Sequence, residues 1–203
     1  MLIVVKKRNS LFSIFKGDLP IGVLNKRELK NLLLTIGDNT IETNKYNLLL
    51  SGIKNYAKKR LFDYISKMER SKYQAHLYLE RLQLEKSLIQ PIINEFEKSD
   101  YINDKRMAEQ YVYLYILKGK SKNYIINKLI SIGISKEDFL ENLLEQYNSS
   151  QKKIISKELE KAKKKFSNLT NDQKKYFKIL EYMKRRGFTF DEVNSEIRYI
   201  SEK

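Results

Sequence analysis

Apolar residues follow two regimes along the chain. Up to residue 24 they form short runs rich in strand formers, Leu2 to Val5, Leu11 to Phe15 and Ile21 to Leu24, with Lys16-Gly-Asp-Leu-Pro20 as a turn before the last. Asn25, with Glu28 three residues on, has the spacing of a capping box, and a short helix from Glu28 to Ile36 ends at Gly37. Ile36-Gly-Asp-Asn-Thr40 reads as a turn, and Thr43 as the cap of a second helix running to about Leu50. From Lys54 the period becomes helical, with Ala57, Leu61, Phe62, Ile65 and Met68 on one face.

Ser71 then caps a helix carrying Ala75, Leu79 and Leu82. The next buries Ile89, Ile92, Ile93 and Phe96, and Pro91 predicts that it starts near the proline or keeps it in the first turn. Asn103 or Asp104 opens a helix with Met107, Ala108, Tyr111, Val112 and Tyr115 on one face, a pattern of core rather than contact. Ser121 caps a helix with Ile125, Leu129 and Ile130 that stops at Gly133, and Ser135 caps another marked by Phe139, Leu140, Leu143 and Leu144. A charged helix from Gln151 to about Phe166, one from Asn171 or Asp172 to Gly187, and one capped by Thr189 complete the chain.

A register of about fifty residues relates these helices. Ala75, Leu79, Gln83, Leu84, Ile89 and Ile93 correspond without gaps to Ile125, Leu129, Gly133, Ile134, Phe139 and Leu143, and again to Ile179, Met183, Gly187, Phe188, Val193 and Ile197. Only the third column is not apolar throughout, and its two glycines suit a left-handed helix end, which Gln83 adopts less easily. The expected fold is mainly α: three tandem three-helix repeats (54–102, 103–148 and 149–203) forming an elongated array, preceded by a small β-hairpin and helix module (1–53) that needs to dock on the rest for stability.

Composition narrows the function. The 203 residues include two prolines, seven glycines, one histidine and no cysteine, which excludes disulfides and Cys/His zinc sites. No apolar run approaches the ~20 residues of a membrane span, and Met1 to Val5 is too short for a signal-peptide core. A soluble, cytoplasmic monomer without membrane attachment is expected. The net charge of +15 points to an anionic partner, with 15 basic against 8 acidic residues in 149–203 alone.

Catalysis is not expected, and neither is a cofactor or metal. His76 has no partner at ligand or triad spacing, and Lys118-Gly-Lys-Ser121 lacks the earlier glycine of a phosphate loop, position 114 being Leu. Three-helix units suggest helix-turn-helix readers, but the candidate third helices carry Glu141 and Glu145, or Asp191, Glu192 and Glu196, which a DNA groove repels. The cations lie elsewhere: Lys58, Lys59, Arg60, Arg70, Arg106, Lys118, Lys120, Lys122, Lys128, Lys163, Lys164, Lys165, Lys184, Arg185 and Arg186 are the candidate contacts to phosphates or an acidic protein surface. On residues alone, a free-standing helical protein binding DNA or RNA without sequence preference fits.

Tyr101-Ile-Asn-Asp-Lys-Arg-Met-Ala-Glu-Gln-Tyr-Val112 resembles the signature of the RecX family, regulators of the bacterial RecA recombinase. Lys118-Gly-Lys-Ser121 with Ile125, Lys128-Leu129 and Gly133-Ile134 is similar to the next family block, and Lys184-Arg-Arg-Gly-Phe188 to its C-terminal element. Phe12 to Asp38 resembles the β-hairpin extension of longer members. Met107 replaces the signature's Phe, and Tyr115 and Tyr124 stand where cations are usual. The resemblance implies a non-catalytic protein of DNA repair, recombination and SOS regulation. Its partner would be the RecA filament, and DNA directly or through it, and it would inhibit the filament's ATPase, recombinase and co-protease activities.

Overall fold

The computed structural model describes residues 1–135 and 138–201. These form two compact units, Met1–Asp104 and Lys105–Lys203.

The first unit opens with β1 (Leu2–Arg8), β2 (Leu11–Lys16) and β3 (Leu19–Asn25) as an antiparallel meander. Two-residue turns join them, and the leading residue of each, Asn9 (φ 52°) and Gly17 (φ 59°), takes the left-handed backbone that Asn and Gly tolerate. α1 (Lys26–Asn31) starts where Asn25 accepts from Glu28 N–H at 2.8 Å. The turn expected at 36–40 is instead a fourth strand, β4 (Gly37–Thr40), paired antiparallel with the outer edge of β1, so that the sheet order is β3-β2-β1-β4. The pairing is tertiary rather than a matter of propensity. The Asn39 side chain holds the preceding loop, accepting from Thr35 N–H (3.0 Å) and donating to Thr35 O (2.8 Å), while β1 offers an unpaired edge.

α2 (Thr43–Ile65) is one helix of 23 residues where two were expected, and its N-cap is Glu42 rather than Thr43. It passes through Gly52 and across the expected module boundary at residue 53. A mid-helix glycine costs about 1 kcal/mol. Leu49, Ile53, Tyr56 and Ala57 make one buried stripe through it, and a fully buried side chain of that kind contributes roughly 1.5–3 kcal/mol. α3 (Lys72–Arg81) carries a full capping box, Ser71 Oγ accepting from Gln74 N–H and Gln74 Oε1 from Ser71 N–H. α4 (Lys86–Lys98) starts earlier than the proline predicts, leaving Pro91 at its sixth position, because Ile89, Ile92, Ile93 and Phe96 bury a continuous face and the exposed proline sits opposite it. Sheet and helices share one core, in which Ile3, Ile14 and Leu24 join Leu49, Leu61 and Ile92.

The second unit comprises most of α5 (Asp104–Leu117), then α6 (Lys122–Ser131), α7 (Asp138–Lys165), α8 (Asp172–Lys184) and α9 (Phe190–Ser201). The break expected between 148 and 151 does not occur. α7 runs 28 residues, since Asn148, Ser149 and Ser150 carry no helix-breaking proline or glycine, and Tyr147, Ile155, Leu159 and Ala162 stay on one buried stripe. Two cores therefore share this helix. Leu140, Leu144 and Tyr147 pack with α5 and α6; Ile155, Leu159 and Ala162 pack with α8 and α9; Ile154 touches both. The side chain of Glu141 lies outside the described residues.

The aligned break positions Gln83, Gly133 and Gly187 have φ of 55°, 86° and 90°, and the apolar residue after each, Leu84, Ile134 and Phe188, is buried. At the two glycines the following N–H reaches back to Leu129 O (2.9 Å) and Met183 O (3.2 Å), closing the helix ends. Gln83 takes the strained conformation all the same. Among the described residues, no helix is long and apolar enough to cross a membrane, and no group of three or more acidic, His or Cys side chains is placed to hold a metal ion.

Candidate functional site

The α5–α6 turn and the α8–α9 turn meet in the second unit. Gly119 has a left-handed φ of 65°, and a Cβ there would collide with the Glu158 side chain. Gly187 is equally constrained, because a Cβ would stand 2.7 Å from Tyr124 Cβ and press on Ser121 Oγ. Between the two glycines the backbones join: Ser121 N–H donates to Arg186 O at 2.9 Å, and Lys120 Nζ donates to Arg185 O at 3.1 Å. Tyr147, fully buried on α7, donates its hydroxyl to Lys120 O at 2.7 Å, and burial followed by the charge of Glu192 pushes its phenol far above the ordinary value. Ser121 Oγ is engaged as the α6 cap, accepting from Tyr124 N–H at 3.2 Å. The hydroxyl and ammonium that a phosphate loop would turn on a nucleotide are both committed to structure here.

Glu158 lies beneath this junction with its side chain 2% exposed. Arg186 Nε donates to it, Lys161 Nζ lies 2.6 Å away, and the Tyr182 hydroxyl donates at 3.2 Å. Burial alone would raise its carboxyl; the hydrogen bonds from Arg186 and Lys161 outweigh that and hold it below the usual carboxylate range. The Arg186 guanidinium also stacks 4.1 Å over the Tyr182 ring. The reading of the sequence passed over Glu158. Its signal was a carboxylate on the apolar stripe of Ile155, Leu159 and Ala162, where a charge has to find a partner.

The predicted cations divide by environment. Lys120 and Arg186 point into the junction, and burial, then the charge of Arg186, depress the Lys120 ammonium. Lys118 and Lys128 are exposed and share an aromatic pair with Lys120: Lys118 lies 5.4 Å over Tyr115, Lys120 and Lys128 lie 4.2 and 5.8 Å over Tyr124, and the rings are 5.3 Å apart. Lys184 and Arg185 are exposed at the end of α8, Arg185 paired with Glu181 at 3.0 Å. Lys122 donates to Asn148 at 3.1 Å. Lys163 is half-buried and Lys164 exposed, while Lys165 lies 5.6 Å over Tyr182. Arg106 is half-buried on α5.

The remaining candidates belong to the first unit. Lys58 pairs with Glu95 at 2.6 Å, Lys59 and Arg60 are exposed, and Arg70 stacks 4.4 Å over Tyr64, itself stacked on Tyr78. His76 lies half-exposed, 3.8 Å from Glu80.

No family model matches the chain. It is 29% identical over 150 residues to the regulatory protein RecX of Clostridium acetobutylicum, an alignment covering 71% of this chain and 69% of that protein. It is 24% identical over 148 residues to the regulatory protein RecX of Streptococcus pyogenes, covering 72% of this chain and 56% of the relative, so it matches little more than half the length of the streptococcal protein. A crystal structure of a regulatory protein RecX superposes with a TM-score of 0.63 at 19% identity, covering 99% of this chain and 97% of that one. RecX from Lactobacillus salivarius gives 0.61 at 24% identity, covering 74% and 97%. At these identities the structural likeness is one of fold.

Proposed function

We propose that the chain is a member of the RecX family of regulatory proteins, and that it binds the RecA nucleoprotein filament and inhibits its ATPase, recombinase and co-protease activities, without chemistry of its own. Its relatives are named as regulators, in keeping with a protein that is not an enzyme. The likeness in sequence and fold to proteins named as the regulatory protein RecX is the observation that carries the reading.

The physical features support it. Left-handed breaks at Gln83, Gly133 and Gly187 recur at a common register, and α7 alone is roughly 40 Å long at ~1.5 Å per residue. A helix of that length reaches more than one subunit of a helical filament, and bridging subunits opposes the motions of nucleotide turnover. The outward cations, Lys118, Lys128, Lys164, Lys184 and Arg185, serve as the electrostatic contacts, with Lys120 and Arg186 holding the junction that positions them. Affinity from such contacts falls with salt. The protein acts as a monomer.

Co-sedimentation tests this directly. The protein should pellet with recombinase filaments on single-stranded DNA at physiological salt and leave bare DNA largely unbound. Pelleting with bare DNA and exclusion from filaments would replace this reading with that of a nucleic-acid-binding protein.

A further inference from the structure

The sheet of the first unit gathers cations at one end. Residues 1–30 carry seven basic side chains against two acidic ones. Arg8 pairs with Leu11, and Leu11 with Asn25, so the end of β1, the start of β2 and the end of β3 line up across roughly 10 Å, two strand spacings. Lys6, Lys7 and Arg8 close β1 there, and Lys26 and Arg27 open α1 directly after Asn25. All five are exposed, and among the described residues none forms an ion pair. Asp18 lies in the β2–β3 turn, at the opposite end of the sheet. Glu28, on α1, is half-buried and its charge acts on Tyr56 of α2. Five cations thus share this end with one carboxylate.

We propose that this sheet end binds the phosphates of duplex nucleic acid, seated in a groove. The inference concerns the first unit alone and does not depend on the filament reading. Geometry selects among anionic partners. Side chains alternate along β1: Ile3 and Val5 are buried on the core face, which puts Lys7 on that side and Lys6 and Arg8 on the other. β4 pairs with β1 only as far as Val5, so Lys6 to Arg8 continue past it with a free strand edge. A strand corner with cations on both faces meets phosphates on both walls of a groove, and the major groove admits a two-stranded ribbon. A single strand lacks the second wall, and a flat acidic protein surface engages one face and leaves the other without counter-charge. A bilayer is a poor match, because no apolar side chain lies between Lys6 and Ser10. Charge on a free edge also deters edge-to-edge pairing, but that role does not account for Lys26 and Arg27, which follow β3. With four phosphates contacted, affinity should fall roughly a hundredfold between about 50 and 200 mM salt. Bare DNA then stays largely unbound at physiological salt, as the filament reading also expects.

Fluorescence anisotropy of the full chain on a short labelled duplex, over the same range of salt, provides the test. Wild type is compared with Lys7→Gln/Arg8→Gln, with Lys26→Gln/Arg27→Gln, and with Lys16→Gln/Lys86→Gln, a control that removes equal charge from the cleft beside the β2–β3 turn. Exposed positions predict coincident circular dichroism and thermal melts for the first two variants and the wild type. Each of those two variants should bind about tenfold or more weakly at the lowest salt, with the slope of log K against log salt shallower by about 2. The control should keep the wild-type slope. Wild-type affinity and slope in Lys7→Gln/Arg8→Gln overturn the proposal, and so does an equal loss in the control, which would mark net charge alone. Single-stranded DNA of the same length bound as tightly as the duplex overturns the groove, and polyglutamate that competes as well as unlabelled duplex at equal charge overturns the choice of nucleic acid. Co-sedimentation with filaments at physiological salt is read separately. Filament binding without any duplex binding at low salt overturns this inference and leaves the filament reading standing; duplex binding without filament binding does the reverse.

Discussion

The N–H of Ser121 donates to the carbonyl of Arg186 at 2.9 Å, joining two turns from distant parts of the sequence. Each turn has a glycine where a side chain would not fit, and Glu158 lies beneath one of them with its carboxylate on the Arg186 guanidinium. The two stretches that resemble family blocks are thus the two halves of one internal joint. Their residues are fixed by packing, while their outward neighbours remain for a partner.

Gly119→Ala should be among the most damaging small substitutions. It combines left-handed strain of about 1–3 kcal/mol with a Cβ driven into a buried carboxylate that is already committed to two cations. A loss of roughly 3 kcal/mol in chemical denaturation is expected. Gly37→Ala, where φ is 98° but no atom lies within 4 Å, should cost only the strain.

Glu158→Gln leaves the Arg186 guanidinium partly buried without its counter-charge and should cost about 3 kcal/mol. The pH dependence has a definite sign. A carboxyl held low in the folded chain stabilises above its unfolded value, and that contribution disappears as pH falls through the lowered folded value. Thermal melts of the wild type should therefore be flat from neutrality to about pH 5 and decline below the ordinary carboxylate range near ~4. In the Gln variant the midpoint should be lower near neutrality and its acid decline shallower, so that the two curves approach one another as pH falls.

How far the sequence could be read follows from the distance over which each feature is decided. The caps at Asn25, Ser71, Ser121 and Asn171 need only a side chain and the next turn, and each stands where the local pattern puts it. β4 depends on the free edge of β1, and the continuity of α2 and α7 depends on the cores they cross, so local signals at Gly52 or Asn148 to Ser150 pointed the wrong way. Among the candidate contacts, Arg185 and Arg186 are adjacent and identical in type. Only the fold, by placing Glu158 and Tyr182 under one of them, separates their environments.

That separation is testable. Arg186→Ala should destabilise the chain by about 2–4 kcal/mol, as removal of one partner of a buried pair does. Lys184→Glu/Arg185→Glu should stay within about 0.5 kcal/mol of wild-type stability while weakening filament binding, with the deficit greatest at low salt. Equal effects on stability from the two variants would contradict the division.

Gln83→Gly should stabilise the first unit by up to about 1 kcal/mol. It relieves a positive φ of 55° and removes a side-chain oxygen that is buried without a hydrogen-bond partner. Gly133→Gln, its counterpart in the second unit, should do the reverse. Urea midpoints measured at constant m-value would show both.

The central claim is that this chain restrains a recombinase filament, and steady-state ATP hydrolysis by the cognate recombinase on single-stranded DNA tests it most directly. At one protein molecule to several recombinase subunits, turnover should fall markedly, and Lys184→Glu/Arg185→Glu should need a higher concentration for the same effect. Turnover that stays at its starting rate while the protein coats bare DNA at physiological salt would contradict the account.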